Sequence, residues 1–191
     1  VQFWVGYSHY LGSNMAQARS FYEAYLVSAQ HLVALEPSNP DYQIELAYAF
    51  SNMGTMELEQ NQADTAREAF HKCEAILRSL AEAQPNDTDL VFETAATNSW
   101  LAKTYLVEYR MNSGLEHRLL AAQQHTQVAA ATGHPFHKKM EAEAWSLLAH
   151  TYFLKGDVDA ALENASRAQL IYEELQRQDP DNIEWKIRLL F

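Results

Sequence analysis

Three side chains could hold a metal: His134, His137 and Glu141. His137 and Glu141 lie one helical turn apart and His134 stands just before them, so imidazole and carboxylate could share a zinc-like ion. Three loosely spaced ligands make a poor set. The same residues read more simply as local structure, with His134 a cap beside Pro135 and His137, Lys138 and Lys139 a solvated first turn. His117 and His125 are eight residues apart and no stronger. Glu141 with Glu143, and Asp157 with Asp159, stand two apart and cannot face each other on a helix, so paired-carboxylate catalysis has no support. Cys73, the one cysteine, falls at a small-residue position and reads as a buried, inert side chain. No Gly-rich phosphate loop, nucleophile elbow or zinc motif occurs. The sequence predicts no enzyme, no cofactor and no metal.

The elements that carry these residues repeat. From Trp145 the chain reads Leu148, Ala149, Tyr152, a turn at Lys155-Gly156-Asp157, then Ala161, Ala165 and Ala168, and a stop at Pro180. Going backwards, Ala149 recurs as Ala102, Gly54 and Gly6, at intervals of 47, 48 and 48 residues. Ala161 recurs at the same intervals as Gly114, Ala66 and Ala18. Pro180 answers to Pro85 and Pro37, with Gly133 and Pro135 in the third place. The unit is two helices, a tight turn and a stop, with small residues where the helices touch.

This pattern resembles the tetratricopeptide repeat, Trp-x2-Leu-Gly-x2-Tyr, then Ala-x3-Phe, then Pro. The family's period is about 34 residues, and the excess here divides as seven residues in each helix. Seven residues are almost two turns, about 10 Å, so the lengthened helices keep their apolar faces in phase. The junctions Leu35-Glu36-Pro37-Ser38-Asn39-Pro40-Asp41-Tyr42 and Asp179-Pro180-Asp181-Asn182 resemble the long-repeat arrays attached to bacterial signalling proteins. The expected fold is therefore all-α, a right-handed α-α superhelix of about four helix pairs, roughly 80 % helical, plus a partial C-terminal helix. The expected repeats are 1–38, 39–86, 87–134 and 135–180, with a partial repeat at 181–191, in one continuous array that reads as a fragment of a longer protein.

Departures from the family are local. Glu57 stands where the family has Tyr, and Arg118 where it has an aromatic, so the third repeat should pack differently or bend. Its turn is expected near Asn112-Ser113-Gly114. Asn39 and Asn86-Asp87-Thr88 read as caps, and Asp181 with Glu184 as a capping box opening a helix over Ile183, Trp185, Ile187, Leu189 and Leu190. Phe3, Trp4, Tyr7 and Tyr10 place much aromatic surface at one end, which implies cover.

The resemblance implies a protein-interaction scaffold with a groove lined by first helices. Residues at i, i+4 and i+7 share one side, which gives three ladders. They are Phe3, Ser51, Ser99 and Ser146; Tyr7, Thr55, Lys103 and His150; and Tyr10, Leu58, Leu106 and Phe153. Asn52 and Trp100 stand at the edge. The serines would keep the groove open and the third ladder would supply an apolar strip. A clamp for a C-terminal carboxylate would need a second basic residue besides Lys103 and Asn52, and none is present. The net charge of −11, from 25 acidic and 14 basic residues, favours a basic protein or peptide partner and disfavours nucleic acid and anionic membranes. No apolar run reaches a membrane span, no secretory leader is recognisable at Val1-Gln2-Phe3-Trp4, and one cysteine fits a reducing compartment, so a cytoplasmic location is expected. The alternative reading is an oligomerisation or regulatory arm, a homo-oligomer built through the aromatic N-terminal end and the last helix.

Overall fold

The computed structural model describes residues 2–84 and 86–189. Of these, 86 % are helical and none lies in a strand. The helices are α1 (Gln2–Leu11), α2 (Met15–Leu35), α3 (Pro40–Glu59), α4 (Ala63–Ala83), α5 (Thr88–Leu106), α6 (Met111–Thr132), α7 (Pro135–Lys155), α8 (Val158–Gln178) and α9 (Ile183–Arg188). They form two compact units, Val1–Asn86 and Asp87–Phe191. In the first unit α1 packs on α2, α2 on α3 and α3 on α4. In the second, α5 packs on α6, α6 on α7, α7 on α8, and α9 begins on α8. Each unit is thus a stack of antiparallel helix pairs, the arrangement of an α-α solenoid. No described helix is long and apolar enough to cross a membrane.

The boundaries keep the period of the sequence. Asn39, Asp87, His134 and Asn182 each cap a helix, accepting the backbone N–H two residues on at 3.1, 2.9, 3.2 and 3.0 Å. Those side chains satisfy donors that the first turn leaves unpaired. Asn182 is the cap of α9, so the box expected from Asp181 is not the one formed. The final helix is described only to Arg188; the expected stop at Pro85 and the last position at Leu190 lie outside the described residues.

A second periodic feature is conformational. Ser13, Asn61, Tyr109 and Gly156 have φ of 58°, 59°, 59° and 89°, at intervals of 48, 48 and 47 residues. One left-handed residue closes the turn inside every pair, and only the last is a glycine. The third turn therefore falls at Tyr109, and Asn112, Ser113 and Gly114 lie inside α6. Polar and glycine residues suggested a later turn, but Gly114 is a packing glycine: a Cβ there would sit 2.6 Å from Leu106 Cδ2.

The core is built from such close approaches. A Cβ on Gly6 would come within 2.8 Å of the Tyr22 ring, and one on Gly54 within 2.8 Å of the Phe70 ring. Ala18, Ala66, Ala102 and Phe70 are fully buried around them. Ala47, Ala95 and Ala142, about two turns earlier in their own helices, are also fully buried. Glu57 is buried and accepts Arg19 Nη1 at 2.8 Å, tying α3 to α2 where the family has a tyrosine. Ala165, expected in the helix contact, is exposed, while Ala161 and Ala168 are buried.

Gly54→Ala should lower stability by about 1–3 kcal/mol despite its better helix propensity, because the buried Phe70 ring cannot retreat. Adding Phe70→Leu should recover most of the loss in a thermal melt. Tyr109 is 89 % exposed and packs little. Tyr109→Asn should therefore raise stability by about 0.5–1 kcal/mol by relieving the left-handed strain, read as a higher denaturant midpoint at unchanged slope.

Candidate functional site

The first helices present most of the candidate residues at partly open positions, each within its own unit. In the first unit Ser51 and Asn52 line a cavity of about 840 Å³, together with Trp4, Tyr25, Glu45 and Tyr48. Thr55 is half-buried and its Oγ1 donates to the Ser51 carbonyl at 3.0 Å, a bond within the helix. Tyr7 is exposed and stacks on Phe3 with centroids 6.0 Å apart. Tyr10 instead packs against the buried cluster of Ala18, Tyr22 and Met56. In the second unit Ser99 is half-buried, and Lys103 Nζ lies 5.2 Å from the centre of the Trp100 ring. Ser146, His150 and Phe153 are exposed around a cavity of about 560 Å³.

The apolar strip expected from the third ladder does not form. Leu58 is buried, Tyr10 belongs to the core and Leu106 lies under Gly114, which leaves only Phe153 exposed. Its positions lie in the last turn of each first helix and differ in burial from pair to pair.

A polar layer between α5 and α6 was the feature least legible in the sequence. Asn98 is buried, donates to Gln124 Oε1 at 3.0 Å, and its Oδ1 lies 2.8 Å from His117 Nδ1. Arg118 is 9 % exposed; its Nη1 donates to the Ser99 carbonyl at 3.4 Å and its Nε has no partner. Burial without a carboxylate pushes this guanidinium down to about 10. His125 is 3 % exposed, edge-on to Phe92 at 5.3 Å, with Nδ1 unpaired. Burial, reinforced by His137, pushes it down to about 4. His117 and His125 are thus interior groups rather than two ligands of one site. A cationic or polar residue at an aromatic repeat position was the only sign of this layer in the sequence.

The His134, His137 and Glu141 set is also spent locally. His134 Nδ1 accepts the Phe136 N–H, His137 Nδ1 lies 2.8 Å from Thr132 Oγ1, and Glu141 accepts from Thr126 at 2.8 Å. Among the described residues no three His, Cys, Asp or Glu side chains converge on a metal position. The turn they occupy is paired rather than solvated: Lys138 meets Glu174, and Lys139 meets Glu184 at 2.6 Å.

Six residues of the first cavity were not singled out for binding by the sequence, the large ones being Trp4, Tyr25, Glu45 and Tyr48 beside Gln2 and Ser28. Tyr25 donates its hydroxyl to Glu45 Oε2 at 2.5 Å; burial first, and then this bond to a carboxylate, raise the phenol well above its ordinary value. Their positions lie on three helices and share no short sequence pattern.

No family model and no curated protein matches the chain. Among solved structures, the crystal structure of BtubC (BKLC) from P. vanneervenii superposes with a TM-score of 0.62 at 17 % identity, covering 86 % of this chain and 58 % of that one. At that identity the likeness is one of fold, and the chain spans little more than half of BtubC's length. The crystal structure of MamA is similar at a TM-score of 0.35 and 13 % identity, over 91 % of this chain and 97 % of that one. The fold is that of a helical-repeat solenoid.

The buried imidazole makes stability depend on pH. Unfolded His125 takes up a proton near pH 6.5, whereas folded His125 resists until about pH 4. Its contribution is therefore intact above pH 6.5 and is lost as pH falls toward 4, by up to about 3 kcal/mol. His125→Leu should flatten that part of the stability profile in urea titrations at pH 7, 5.5 and 4.5.

Proposed function

We propose that the chain is a non-catalytic scaffold that binds a basic segment of another protein along its first-helix surface. The observation that carries this reading is the set of partly open residues on α3, α5 and α7 (Ser51, Asn52, Thr55, Ser99, Trp100, Lys103, Ser146 and His150) on a chain of net charge −11. These side chains add little to the core. Hydroxyls, an amide and an aromatic face suit an extended backbone, while surrounding carboxylates steer a cationic partner and repel nucleic acid. The same reading makes the protein a cytoplasmic component of a bacterial signalling assembly, with neither cofactor nor membrane involved.

A second reading, self-association, is favoured by a separate observation. Trp4, Leu11, Phe153, Val158, Leu162 and Ile187 are all large, apolar and exposed near the first or last helices. Such surface marks contact sites.

A nonamer peptide array probed with the purified chain should enrich Lys- and Arg-bearing peptides, with binding weakened about tenfold between 50 and 500 mM salt. The double variant Ser99→Lys/His150→Lys should lose the peptides at unchanged helicity. Enrichment of acidic peptides, or full binding by the variant, would reject the groove.

A further inference from the structure

Three charged side chains are buried among the described residues: Glu57, Arg67 and Arg118. Glu57 meets Arg19, and Arg67 meets Asp64. Arg118 meets no carboxylate among the described residues. Its one hydrogen bond runs from Nη1 to the Ser99 carbonyl at 3.4 Å, and Nε has no partner. Even lowered to about 10 by burial, the guanidinium stays protonated at neutral pH. The pair α5–α6 therefore holds a buried cation whose desolvation nothing in the described chain offsets. His125, in the same pair, avoids that cost by staying neutral; an arginine has no such exit.

Packing alone does not account for an arginine there. One and two periods earlier the same place is filled by Phe70 and Tyr22, buried rings that carry no charge. The surroundings of Arg118 give a counter-charge a way in. Ser99, whose carbonyl holds Nη1, is a partly open residue of the first-helix surface. Lys103, also partly open, stands one turn further along α5 with Nζ over the Trp100 ring. The bond to Ser99 occupies Nη1 and leaves the edge formed by Nε and Nη2. The two parallel N–H groups of that edge match the two oxygens of a carboxylate. A carboxylate also brings a single negative charge to a chain of net −11, whereas a phosphate monoester brings nearly twice as much.

We propose that Arg118 is a specificity-determining residue of the scaffold: the bound basic segment carries one Asp or Glu whose carboxylate passes Ser99 and Lys103 and pairs side-on with Arg118 Nε and Nη2. This rests on the proposed binding of a basic segment and names the residue that fixes its register. The diffuse acidic field draws in the lysines and arginines of the segment, and the fixed fork of Arg118 selects where its one carboxylate sits.

Fluorescence anisotropy of the purified chain with C-terminally amidated nonamers tests it. The nonamers consist of lysine, serine and glycine, with a single Glu, Gln or phosphoserine placed at each position in turn. At one position Glu should bind about tenfold tighter than Gln, the scale of a hydrogen bond to a charged group. Arg118→Met should equalise the two while binding the Gln nonamer as wild type does, and should melt no lower than wild type, because it removes a buried charge that has no partner. Lys103→Gln, at a partly open position, should cut the Glu preference severalfold and serves as the test if Arg118→Met is misfolded. Basic nonamers that bind wild type equally with Glu or Gln would overturn the anchor and leave the scaffold reading standing. So would a Glu preference that persists in either variant, or a phosphoserine preferred to Glu. Failure of every nonamer to bind would overturn both.

Discussion

Close approach of paired helices is the constraint on which the rest of each unit depends. Gly6 against Tyr22 and Gly54 against Phe70 leave no room for a methyl group, and this distance is what lets long side chains from one helix fill the space beside the other. Once that spacing is fixed, the turn has little freedom: every pair closes through a single left-handed residue, at Ser13, Asn61, Tyr109 and Gly156. Three of the four bear a side chain and accept the strain, because the packing of some 20 residues on each side over-determines the turn.

Where the aromatic partner is replaced, the pair compensates differently. In α5–α6 Arg118 occupies the ring position, and a polar layer of Asn98, His117 and Gln124 forms beside it. The hydrogen bonds satisfy most of these groups, but Arg118 Nε and His125 Nδ1 have no partner, so this pair carries desolvation penalties, as Glu57 Oε2 does on α3. In α7–α8 the position is Ala165, which is exposed at the edge of an open cavity. The repeats thus share a backbone and differ in what fills it.

The surface follows from this division of labour. Small residues and rings are consumed inside each pair, while Ser51, Asn52, Ser99, Ser146 and His150 of the first helices are left partly or fully open. Exposed apolar residues gather on the flanks of α1 and around α7–α9, where no further helix pair covers them within a unit.

By itself the sequence determined the helices, their order and the caps at Asn39, Asp87 and His134. Helical periodicity, small residues and cap residues act through neighbours a few positions away, and a period of about 48 repeats that local information four times. Tertiary structure alone decided which polar residues are interior and which candidates face a cavity. Leu58 and Phe153 share a ladder, yet one is buried and the other exposed, a difference that spacing along the chain does not encode. Glu57 shows the same limit: its type reads as a mismatch, and only the packing of α2 on α3 turns it into the acceptor for Arg19. The cavity of Trp4, Tyr25, Glu45 and Tyr48 draws on three helices, so no spacing along the chain could announce it.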